Sequence, residues 1–261
     1  MPFIVITAGE ELPEFAVLTA VLGAALKTDR DTAAGAARRS WGLLGRNLDE
    51  AAAAELEARC ADFDIKTLRL PWPQPPLPAA EKLKAASFSA GAAVFSLAGG
   101  AVVQVAPGDI TVIAAAPLRE ETTRLVKTTE GPSSGEKALR MGIMAVTGLP
   151  IGMGKSKEVK KEVKSSETSF CLDLLLDRQG RRLRANPADF DFSCLKEKKT
   201  YSSQVNLRLL CAEAAAFAPA AARNAGLLAM LQSRPLAALP YDSLEDLETE
   251  ELRLLLAVRG A

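Results

Sequence analysis

Pro71-Trp72-Pro73-Gln74-Pro75-Pro76-Leu77-Pro78 places five prolines in eight residues. Each proline fixes φ and removes a backbone donor, so the stretch can be neither helix nor central strand and is expected to run extended. It reads as a linker over residues 71–80, between a domain at 1–70 and a second at 81–225. A docking ligand for a proline-binding partner is the alternative use of such a stretch.

On the N-terminal side, Phe3 to Thr7 is a short apolar run suited to a buried strand. Gly9 and Pro13 announce a turn and a helix in which Phe15, Leu18, Leu22 and Ala25 or Leu26 share one face. Asp31 is expected to cap a second helix ending near Arg39, and Asp49 a third lined by Ala52, Leu56, Cys60 and Phe63. Strands fit the residues before Asn47 and Ile65 to Leu70, which gives the order strand, helix, helix, strand, helix, strand. The stretch from Phe15 to Leu70, with Asn47-Leu48-Asp49-Glu50-Ala51 and Ile65-Lys66-Thr67-Leu68, resembles the C-terminal domain of the bacterial ribosomal stalk protein. The resemblance implies a small βααβαβ ferredoxin-like domain. That family presents basic residues and a glycine to translation factors where this chain has Thr28, Asp29, Arg30 and Asp31, so no factor-binding role follows.

Beyond the linker the apolar period becomes two. Ala85–Phe88, Ala93–Leu97, Ala101–Val105 and Ile110–Ala115 read as strands of an antiparallel meander, separated by Gly99-Gly100 and Pro107-Gly108-Asp109. An insertion is expected at about 128–169, partly mobile. Phe170–Leu176 and Arg181–Ala185 make a hairpin, and Ser202 or Ser203 caps a helix that buries Val205, Leu209, Ala212 and Ala216. The fold class expected is α+β, the second domain being an antiparallel barrel or sheet closed by a helix, which looks pleckstrin-homology-like. Leu172-Asp173-Leu174-Leu175, Arg181-Arg182-Leu183-Arg184, Phe190-Asp191-Phe192 and Gln204-Val205-Asn206-Leu207 together resemble a group of bacterial two-module proteins, a likeness that implies an architecture and no activity. Residues 226–261 form a helical tail whose Ser243 caps an acidic first turn. The tail either docks or acts as a detachable partner-binding helix.

Composition narrows the function classes. Thirty-two basic residues balance thirty-two acidic ones, so no global field draws nucleic acid, and no nucleic-acid partner is expected. With no histidine, the commonest general base and metal ligand is missing. Cys60, Cys171, Cys194 and Cys211 form no Cys-x-x-Cys pair and read as free thiols of a reducing compartment. The N-terminus lacks a signal-peptide pattern, and Met141 to Met153 is too short to span a bilayer. A cytoplasmic protein is expected, with no cofactor, metal or catalytic residue.

Four motifs remain. Gly148 to Ser156 ends like a phosphate-binding loop, but Leu149 stands where the first glycine belongs. Asp173, Asp177, Asp189 and Asp191 are close in sequence, with Asp173 expected on an outer strand face. Arg181, Arg182 and Arg184 suit either phosphate binding or a salt-bridged exposed strand. The apolar run containing Met144, Ile151 and Met153 precedes Lys155, Lys157, Lys160, Lys161 and Lys164, a combination able to hold an anionic membrane surface, a partner or a second subunit. The leading expectation is a non-catalytic protein-interaction or scaffold module. A peripheral membrane regulator using the Lys-rich segment and an enzyme with carboxylate or Cys chemistry are the alternatives.

Overall fold

A computed structural model describes residues 1–130, 157–234 and 241–260. The chain is mixed α/β, in the order β1 (Phe3–Thr7), α1 (Phe15–Leu26), α2 (Arg30–Ser40), β2 (Leu43–Leu48), α3 (Glu50–Ala61), β3 (Thr67–Pro71), β4 (Ala80–Phe88), β5 (Ala93–Leu97), β6 (Val102–Val105), β7 (Val112–Glu130), β8 (Lys157–Leu176), β9 (Arg181–Ala185), α4 (Ser203–Phe217), β10 (Ala222–Arg223), α5 (Ala225–Leu231) and α6 (Leu244–Gly260). By compactness, Met1–Arg119 with Thr168–Ala261 form one unit and Glu120–Glu167 a second. No helix among the described residues is long and apolar enough to cross a membrane.

The first sheet has the order β2-β1-β3, with both pairs antiparallel. Its central strand explains the unbroken Phe-Ile-Val-Ile run, because Ile4, Val5 and Ile6 are all fully buried. Val5 joins Leu18, Val21, Leu22, Leu56 and Cys60 beneath the helices, whereas Ile4 and Ile6 face the other way onto Leu256. A strand covered on both faces has no need of polar alternation. Asp29, not Asp31, caps α2, accepting from the amides of Asp31 and Thr32 at 3.0 Å each; Asp49 caps α3 as expected. Phe15 and Phe63, expected on buried helix faces, are 48% and 46% exposed.

The second sheet runs β10-β7-β8-β9-β4-β5-β6 and is open, so of the expected barrel or sheet it is the sheet. It is also mixed: β4 pairs parallel with β9, and β10 parallel with β7. The strand expected at Ala85 begins at Ala80, inside the stretch read as linker. The described parts of the expected 128–169 insertion are strand, since β7 continues to Glu130 and β8 starts at Lys157. One face of the sheet, with Leu83, Phe95, Leu172, Leu174, Leu176 and Leu183, packs on Leu207, Leu210 and Cys211 of α4 and Leu227 and Met230 of α5.

The opposite face is covered by α6. Leu254 and Leu255 pack with Val112 and Leu175 of the second sheet, Leu247 with Ala114, Ala116 and Cys171, and Leu256 and Leu252 with Ile4, Ile6, Leu68 and Leu70 of the first. The Leu244–Gly260 part of the segment read as a tail is therefore a helix buried between two sheets. Residues 1–119 and 168–261 fall in one compact unit, and Trp72 packs in the cluster that joins α6 to the first sheet. Each sheet has a second apolar face on which this helix packs, joined on the second sheet by Trp41 and Tyr241, and such faces do not stay exposed to water.

Candidate functional site

The hairpin of α1 and α2 is built for close approach. Lys27 takes a left-handed conformation (φ 52°) at the end of α1, and the Thr28 amide donates to the Gly23 carbonyl at 3.2 Å. A Cβ on Gly23 would lie 3.3 Å from that of Ala33, so glycine lets the helices meet. On the outer side of this contact lies a cleft of about 550 Å³, lined by Phe15, Ala16, Thr19, Ala20, Gly23 and Ala24 of α1 and by Thr28, Arg30, Asp31, Ala33 and Ala34. Phe15 also lines a second cleft of about 350 Å³, with Leu12, Pro13, Leu18, Ala37, Arg38, Trp41 and Ala225. Arg38 lines that cleft and a third, of about 360 Å³, where Arg38 and Arg39 face Asp242, Glu245 and Asp246. The first and second concavities share Phe15 and the second and third share Arg38; the first sets Arg30 and Asp31 beside its small apolar side chains, and the third is charged. The Arg38 guanidinium carbon sits 5.8 Å from the Phe15 ring centre at the junction.

Beneath the second cleft the side chains are closely packed and hydrogen-bonded. Trp41 stacks on Tyr241 with ring centres 4.2 Å apart and planes 6° from parallel. Gly42 follows at φ 80°, where an added Cβ would lie 2.4 Å from Thr7 Oγ1 and 2.6 Å from Arg253 Cδ. Tyr241 donates to Glu250 and accepts from the Asn224 side chain (3.0 Å) and the Gly226 amide (3.1 Å). Asn224 also pairs both of its amide atoms with the backbone of Ala115, at 2.9 and 3.0 Å. Burial raises the Glu250 carboxyl above its usual range, and burial followed by the Glu250 charge raises Tyr241 well above its own. At the start of α6, Ser243 Oγ accepts from the Asp246 amide while Asp246 accepts from Ser243, the expected cap.

A second polar group lies beneath α6. Arg184 grips Asp173 through two hydrogen bonds of 2.7 and 2.6 Å, and Arg182 reaches Glu251 (3.1 Å) and Glu248 (2.9 Å). Asp173, expected on an exposed face, is wholly buried, and Arg182 is buried as well, because α6 covers that side of the sheet. Arg181 pairs with Glu81. All three arginines are thus engaged in ion pairs. Burial, then the Asp173 charge, pushes Glu251 well above the usual carboxylate range, and its Oε1 has no donor facing it. A proton kept on Glu251 leaves Asp173 and Glu248 to balance Arg182 and Arg184, so the group is neutral.

That proton has a cost in stability at neutral pH. The unfolded chain releases it near the ordinary glutamate value of about 4.5 and the folded chain only well above, so stability falls as pH rises between the two. Glu251→Gln, which keeps the shape and offers a permanent donor toward Asp173, is expected to melt higher than the native chain at pH 8 and near it at pH 4.5. Thermal melts of both proteins across that range check this; equal melting temperatures at pH 8 refute it.

The other sequence-derived candidates do not converge. Asp177 pairs with Arg259, Asp189 with Lys82 and Lys84, and Asp191 caps Ser193. All four cysteines are free, and burial pushes Cys60 up to about 11 and Cys211 up to about 12, which disfavours their thiolate forms. Met144, Ile151, Met153 and Lys155, like the Gly148–Ser156 motif, lie outside the described residues; Lys157, Lys160, Lys161 and Lys164 belong to β8. The surface along α2 escaped sequence reasoning, which assigned Phe15 to the core. Its signal is the small-residue pattern Ala16, Ala20, Gly23, Ala24 followed by Ala33 and Ala34. Comparison with protein-family models, curated proteins and solved structures finds no match to this chain.

Proposed function

We propose that this chain is a non-catalytic interaction module that docks a protein partner on the surface along α1 and α2. The observation that carries it is the set of three clefts linked by shared walls at Phe15 and Arg38, with the half-exposed Phe15 between the first two. An exposed aromatic among small side chains offers an anchor and shallow sockets, which suits an apolar helix or loop with a charged flank toward Arg38 and Arg39. The order β1-α1-α2-β2-α3-β3 with β1 central supports reading this part as a stalk-protein-like unit, and Asp31 and Arg30 at the cleft rim support a partner other than a translation factor.

A photocrosslinking residue at Ala20 identifies the partner, and titration of that partner against native chain and Phe15→Asp tests the site. Losing the apolar contact of one aromatic is worth roughly 1.5–3 kcal/mol, so the affinity is expected to fall about 10- to 100-fold. Phe15 projects from the fold, so the variant is expected to keep the native melting temperature. Unchanged affinity, or turnover of a substrate by the purified chain, overturns the reading.

A further inference from the structure

Among the described residues the strand orders of the two sheets end in four strands, and three of these are guarded against pairing with another chain. β2 carries Arg46 and a register irregularity against β1, with Asn47 at φ 56°. β3 carries Arg69 and ends in Pro71. β10 is two residues long, and the Arg223 amide donates to Glu10 at 3.1 Å. Charges, proline, bulges and short length are the usual devices that keep an edge from templating a new strand.

The fourth edge, β6, is short but has none of the others. Val102-Val103-Gln104-Val105 holds a regular antiparallel register on β5, from Ser96↔Val102 to Ala93↔Val105. The Leu97 amide donates to the Ala101 carbonyl, so alternation turns the backbone groups of Val103 toward β5 and those of Val102 and Gln104 outward. Val102 is 64% exposed, and Val94 beside Gln104 on β5 is 37% exposed. The surrounding sequence is unusual for this chain: Ala85 to Gly108 contains no Asp, Glu, Lys or Arg in 24 residues, where a 25% charged chain would place about six.

We propose that β6 pairs antiparallel with β6 of a second copy, extending the seven-stranded sheet across a two-fold axis. An antiparallel strand is its own symmetric complement. With the axis at Val103, each Val102 faces Gln104 of the second copy, and both pairs exchange backbone hydrogen bonds in both directions. Val103 and Val105 are held in the core, so β6 cannot slip to another register without exposing them. The occupant follows from charge. Two copies of this edge meet without placing any charge against another, whereas a charged partner strand would lose its hydration with nothing on this edge to replace it. The pairing does not rest on the surface along α2.

Sedimentation equilibrium of the full chain, from low to high micromolar concentration, is expected to show the mass rising from 27.6 kDa toward twice that value. Val102→Lys, at an exposed position, is expected to weaken dimerisation at least tenfold while leaving the circular dichroism and melting temperature of the monomer unchanged. Gln104→Pro removes an outward amide that β5 does not use and is expected to act likewise. Phe15→Asp is expected to dimerise as the native chain does. Monomer mass at every concentration overturns the proposal, as does a dimer that survives both Val102→Lys and Gln104→Pro.

Discussion

A chain that ends at Ser243 is expected not to fold. Without α6, Ile4 and Ile6 of the first sheet and Val112 and Leu175 of the second lose the layer that covers them. Leu247, Leu254, Leu255 and Leu256 are each at most 1% exposed. At roughly 1.5–3 kcal/mol for each buried leucine, their loss amounts to about 6–12 kcal/mol. The whole stability of a domain is about 5–15 kcal/mol, so little remains. The truncated protein should lack near-ultraviolet circular dichroism and a cooperative urea transition. A truncated chain that unfolds at the native urea midpoint would show instead that α6 is the detachable helix its sequence position allows.

Arg253→Leu carries the second large effect. The guanidinium is wholly buried and donates to the carbonyls of Gly9 (2.5 Å) and Glu10 (3.1 Å) and to Thr7 Oγ1 (3.4 Å). It thereby ties the loop after β1 to α6. Burial lowers its pKa, against the charge of Glu250 at 3.8 Å, which holds the proton on. Removing one member of a buried charged pair typically costs about 3–5 kcal/mol, because the other is left uncompensated. At about 2–4 °C per kcal/mol for a chain of this size, the melting temperature should fall by roughly 6–20 °C. Glu250→Gln in the same chain removes the stranded charge and should recover part of the loss. A single variant that melts within about 2 °C of the native chain would place the tether elsewhere.

Both effects concern residues whose importance is invisible at their own place in the chain. Local signals were legible: the Phe3–Thr7 strand, the Asp49 and Ser243 caps, the Ala93–Leu97 strand and the hairpin around Gly180 all depend on neighbours within a few residues. The α2 cap moved by two residues because Asp29 and Asp31 offer the same short carboxylate, and only the path of the chain decides which one reaches the free amides. The site was less legible. Phe15 obeys the apolar period of α1, and nothing local reveals that its ring is left half-exposed.

The amino-acid sequence by itself determined the mixed α/β class, the order of the elements from Phe3 to Pro71, the absence of histidine chemistry, and the uncharged block from Ala85 to Gly108. Tertiary structure alone decided that the strands of residues 80–185 form an open mixed sheet and that Leu244–Gly260 lies between two sheets. Propensity and capping act over one or two turns of chain. Which apolar face covers which, and whether Asp173, Glu250 and Arg253 meet partners or water, is settled by pairings between residues up to 246 positions apart, as between Thr7 and Arg253.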